Sequence, residues 1–130
     1  MNYNTNTRET ISFRATVAPG ATIILQERVK APGTVETVNV RFYRGQQLAL
    51  RVNPYIEHKG RRTENVITYA ETTRKWLSGD DDYFNYDVVF TVDYDDYVKV
   101  WAYNTDPANA YDVVVDITID YFGGTNRVVG

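Results

Sequence analysis

The stretch AYDVVVDITIDYF, residues 110 to 122, decides the fold class. Tyr111, Val113, Val115, Ile117, Ile119 and Tyr121 fall on one side of a two-residue period, with Asp112, Val114, Asp116, Thr118 and Asp120 on the other. Successive side chains of a β-strand point to opposite faces, so this pattern describes a strand with one apolar face and one wet one. A helix would scatter the same residues around its circumference.

The same period recurs along the chain. In ISFRATV, Ile11, Phe13, Ala15 and Val17 share a face. TIILQERV follows a Pro19-Gly20 turn and alternates less cleanly through Ile23, Leu25 and Val29. VETVNVRFY sets Val38, Val40 and Phe42 inward, and QLALRVNPYIE sets Leu48, Leu50, Val52 and Ile56 on one face. Pro54 cannot donate to a ladder, which predicts an edge or a bulge there. Residues 57–82 are irregular, with a short strand expected at VITY (66–69). FNYDVVFTVD and YVKVWAYN then restore the alternation. The expectation is an all-β chain: an antiparallel β-sandwich of about eight strands, jelly-roll-like, with an immunoglobulin-like arrangement as the alternative. Residues 1–10 read as a flexible arm, 11–122 as the sandwich and 123–130 as a tail.

At 130 residues the chain can bury a core without staples, and it has no cysteine. The polar start MNYNTNTRET lacks the layout of a signal peptide, and no apolar run approaches membrane-spanning length. Synthesis in the cytoplasm is expected, with no membrane partner. Charge is divided unevenly: residues 1–79 carry twelve Lys/Arg and six Glu, and residues 80–130 carry two Lys/Arg and eleven Asp. Such halves can pair across a sheet within one molecule or dock on a neighbouring one. On the outer face of the last strand Asp112, Asp116 and Asp120 lie about 13–14 Å apart, too far for one small ion. Arg14, Arg41 and Arg51, outward on their own strands, are the natural partners.

The inventory argues against an enzyme. The one histidine, His58, sits in a charged loop and reads as solvated, and Ser12 and Ser78 lie in no nucleophile motif. No phosphate-binding loop or zinc spacing occurs. Asp80, Asp81, Asp82, Asp93, Asp95, Asp96 and Asp106 all fall at turns. They could converge on calcium, but Asp also stabilises turns by accepting nearby backbone N–H groups, and no EF-hand pattern is present. No cofactor is expected beyond that possibility of calcium. The basic tip with Arg61 and Arg62 is too small a footprint for nucleic acid. The strand YVKVWAYN has an aromatic outer row, Tyr97, Lys99, Trp101 and Tyr103, suited to a protein interface or a sugar platform.

In architecture and composition, residues 11–122 resemble the small jelly-roll accessory proteins of tailed-phage particles: decoration, cement or head-fibre proteins. The features behind the resemblance are an all-β, cysteine-free domain poor in catalytic groups, an Asn/Thr-rich arm and oppositely charged halves. The resemblance implies a homo-oligomer, often a trimer, seated on a capsid at the virion surface and acting through protein–protein contacts. A carbohydrate-binding module, calcium-dependent or on a fibre tip, is the second reading.

Overall fold

The computed structural model describes residues 7–59, 63–66 and 76–122. Eight strands run in chain order: β1 (Arg8–Val17), β2 (Thr22–Arg28), β3 (Gly33–Phe42), β4 (Leu50–Glu57), β5 (Thr63–Asn65), β6 (Asp82–Val92), β7 (Tyr97–Asn104) and β8 (Tyr111–Tyr121). They form two four-stranded sheets, β1-β8-β3-β6 and β2-β7-β4-β5. Pairing is antiparallel for β1 with β8, β2 with β7, β3 with β6 and β4 with β5. The chain is thus one long antiparallel ribbon folded back on itself. Rolling that ribbon adds the β3–β8 and β4–β7 ladders and closes a jelly roll. In an immunoglobulin sandwich strands A and B share one sheet; here β1 and β2 lie in different sheets.

The two-residue period explains the core. Val113, Val115, Ile117 and Ile119 of β8 are buried and face Val52, Ile56, Val98 and Val100 of the other sheet in a single cluster. Burial of such side chains contributes roughly 1.5–3 kcal/mol each, which sets the face of every strand. Phe84 and Tyr86, in register with buried Val88, Phe90 and Val92 on β6, are only half-buried.

Several local expectations change. β1 begins at Arg8, so Arg8, Glu9 and Thr10 pair with Asp120, Ile119 and Thr118. The short strand is Thr63–Asn65 rather than VITY: Val66 lies just beyond its end, and residues 67–69 lie outside the described residues. Leu48 does not join the inward row of β4. It sits in the β3–β4 turn with a left-handed backbone (φ 65) and is 60% exposed. β4 is not an edge strand, yet Pro54 is accommodated without a bulge. Val52 exchanges backbone hydrogen bonds with Leu77 (2.9 and 2.7 Å), while Tyr55, Ile56 and Glu57 pair with β5. The Pro54 nitrogen, two residues on from Val52, therefore points into the gap between these two partners, where no ladder bond is lost.

Buried Asn104 ties the end of β7 to its surroundings. Its Nδ2 donates to the carbonyls of Val17 (3.1 Å) and Asn109 (2.7 Å), and its Oδ1 accepts from the Asp106 N–H (2.9 Å).

Candidate binding groove on the β2-β7-β4-β5 face

The gap beside Pro54 opens a groove. β5 reaches only as far as Asn65 opposite Tyr55, so among the described residues no β5 partner stands opposite Asn53. Asn53 pairs with Trp101 of β7, which supplies the floor. The Val52–Leu77 bridge brings Trp76 alongside β4. Asn53, Tyr55, Thr63, Asn65, Trp76 and Trp101 line a depression of about 380 Å³. Asn53 Nδ2 donates to Asn65 Oδ1 (3.0 Å), and Asn53 Oδ1 is buried without a hydrogen-bond partner. Arg51 lies over the Trp76 ring at 4.8 Å, a contact that fixes the indole plane.

Of the aromatic row expected on β7, only Trp101 lines this groove. Tyr103 continues the surface at 6.1 Å between ring centroids, tilted by 46°. Lys99 turns to Glu57 (2.8 Å) and lies over Tyr97 at 5.8 Å, so these three groups form the rim. Tyr55, Asn53, Asn65, Thr63 and Trp76 were not picked out from sequence as site residues. Asn53 and Tyr55 carry a signal there, since they alternate outward on β4. Trp76 carries none, because its neighbour is set by a non-local bridge.

The charged candidates scatter. On the β1-β8-β3-β6 face Arg14 meets Asp116 at 2.9 Å, Asp112 accepts from the Thr16 hydroxyl (2.6 Å) and Asp120 from the Thr7 hydroxyl. Arg8 meets Glu36, a residue placed by the irregularity between Val35 and Thr37 of β3. Arg41 reaches Asp81 (3.3 Å) and lies over Tyr43. Arg51 stacks on Trp76 instead of meeting the Asp row. Arg61 and Arg62 lie outside the described residues.

The turn aspartates lie at opposite ends of the sandwich, because the 11-residue β6 separates Asp80, Asp81 and Asp82 from Asp93, Asp95 and Asp96. Each group engages nearby donors. Asp80 accepts from the Gly45 N–H (2.7 Å) and Asp82 from the Asp80 N–H (2.7 Å). Asp93 accepts from the Tyr94 N–H, and Asp95 contacts Arg28 and Lys59. Asp81 and Asp95 adopt left-handed backbones (φ 56 and 70), a conformation Asp tolerates. Asp106 accepts from the Tyr111 hydroxyl (2.7 Å) and the Ala108 N–H (2.8 Å), which hold its carboxyl well below the usual carboxylate range. Among the described residues no three Asp, Glu, His or Cys side chains gather as a metal site.

His58 corrects the expectation of a solvated loop residue. It is 7% exposed, with Nδ1 at 3.0 Å from Asp96 and Nε2 at 2.8 Å from Glu64. With both ring nitrogens engaged by carboxylates, the imidazole has no free edge to offer a substrate.

No family model and no curated protein matches the chain. Among solved structures it is similar to the structure of the infectious bursal disease virus Gx strain, with a TM-score of 0.51 and 10% identity over 95% of the chain. It is also similar to the infectious bursal disease virus VP2 subviral particle, with a TM-score of 0.48 and 13% identity over 89% of the chain. These neighbours come from that virus, not from a tailed phage, and the first of them extends the jelly-roll assignment to a viral structure. The chain spans about a third of their length, 34% and 33%. No helix among the described residues is long and apolar enough to cross a membrane.

Proposed function

We propose that the protein is a non-catalytic structural subunit of a virus particle, a capsid decoration or cement protein that works through protein–protein contacts at the virion surface. The observation that carries this reading is the rolled eight-strand topology, a fold shared over 95% of the chain with the infectious bursal disease virus structure. The chemistry of the described residues agrees with it. The sole histidine is clamped on both sides, and the turn aspartates are occupied by backbone donors and cations.

The β3–β4 turn supports a contact role. Gln47 and Leu48 both have left-handed backbones (φ 50 and 65), a costly state for side-chain-bearing residues. Bonds around them hold it: Gln46 accepts from the Tyr43 N–H (3.1 Å) and donates to the Asp112 carbonyl (3.0 Å), while the Leu48 N–H donates to Gly79 (3.2 Å). The result presents Leu48 to the exterior, along with exposed Tyr43 and Tyr83 on the adjoining strand ends. In our reading these side chains meet a second copy in a closed oligomer, a trimer being the form proposed, or the shell protein beneath it.

Native mass spectrometry of the purified protein and of Leu48→Asp tests the reading. A closed homo-oligomer that the substitution converts to a folded monomer supports it. A monomer at the highest soluble concentration overturns it.

A further inference from the structure

We infer that the groove between Trp76 and Trp101 is a binding site for a neutral carbohydrate, a function that goes beyond assembly. The lining pairs aromatic surface with amides. Trp101, Trp76 and Tyr55 supply aromatic surface, and a pyranose can pack its apolar C–H face on such rings while its hydroxyls keep their hydrogen bonds. Asn53 and Asn65 also line it, their side chains joined by the Asn53 Nδ2–Asn65 Oδ1 hydrogen bond (3.0 Å), and these amides are the polar groups that sugar hydroxyls would meet. About 380 Å³ falls in the range of small-ligand sites.

Other ligand classes fit less well. Among the described residues the lining holds no ionised side chain, and Arg51 and Lys99 beside it are committed, Arg51 to the Trp76 face and Lys99 to Glu57. A phosphate or carboxylate ligand would find no counter-charge among these described lining residues. A peptide adding as a strand would need donors from the open edge of β4, but the residue there is Pro54, which has none.

The protein supplies its own reporter. Its two tryptophans, Trp76 and Trp101, both line the groove, so intrinsic fluorescence reads this site. Titration with maltotetraose, cellotetraose, chitotetraose and lacto-N-tetraose is expected to give a saturable emission change for at least one of them. Asn53→Ala should weaken that binding about tenfold or more, by removing one of the two amides of the lining and the hydrogen bond that positions the other. Trp101→Phe, which keeps a ring in place and leaves Trp76 as reporter, should weaken it as well, and unchanged far-ultraviolet circular dichroism certifies the fold of either variant. The inference is overturned if no saccharide gives a saturable change up to its solubility limit. It is equally overturned if the change survives both substitutions, or if only a tetraproline peptide produces it.

Discussion

The His58 Nδ1 atom lies 3.0 Å from the Asp96 carboxylate, and this buried contact joins the end of β4 to the turn before β7. The other oxygen of Asp96 accepts from the Lys59 N–H (2.9 Å), and the first also accepts from the Asp93 N–H (2.9 Å). One carboxylate therefore holds both the β6–β7 turn and the exit of β4. Burial alone would push the Asp96 carboxyl up, but the two backbone N–H groups and the His58 ring outweigh it and hold it below the usual range.

Asp96→Asn is expected to cost about 1–3 kcal/mol, because the charge-assisted bonds to the buried His58 ring and to the Lys59 and Asp93 N–H groups weaken. The pH dependence follows from the direction of the shift. A carboxyl lowered on folding adds stability that is fully present above its unfolded value near ~4 and is lost as pH falls through the folded value. Urea unfolding from neutral pH down through the carboxylate range should thus show a steeper acid loss in the parent than in Asp96→Asn. Parallel profiles would remove Asp96 from the acid response.

Gly33 opens β3 between two ladders, opposite Val92 on one side and Tyr121 on the other. A Cβ there would stand 2.6 Å from the Asp120 carbonyl oxygen and 3.0 Å from the Tyr121 Cα, both backbone atoms that cannot swing away. Gly33→Ala should destabilise by about 2–3 kcal/mol through forced strand separation. Gly20 is the control: nothing lies within 4 Å of its added Cβ, and only its φ of 69 penalises alanine. Gly20→Ala should cost about 1 kcal/mol, so the two denaturation midpoints separate crowding from backbone strain.

The strands were legible because their signal is local. Tyr111 to Tyr121 alternate residue by residue, and the inner members from Val113 to Tyr121 are those the structure buries. The occupied turns were legible for the same reason, since Asp106 meets Ala108 and Asn109 within three positions. What failed depended on distance or brevity. Burial of His58 is made by Asp96, 38 positions away, and Trp76 joins the groove through a bridge next to it. β5 has three residues, too few for a period to show. Leu48 continues the apolar alternation of β4 in sequence, but the turn reverses its backbone and throws it outward.

That reversal separates stability from use. At φ 65 the Leu48 Cβ crowds its own carbonyl, and at 60% exposure its side chain recovers little by burial. Leu48→Gly removes the crowding and should raise stability by about 1 kcal/mol, read as a higher urea midpoint. A side chain kept at such a cost to the fold is expected to act between molecules, so the same substitution should weaken oligomer formation in sedimentation velocity. The two readouts must move in opposite directions. Higher stability with unchanged assembly would assign the strain to the turn alone, and lower stability would show that Leu48 packs against the fold after all.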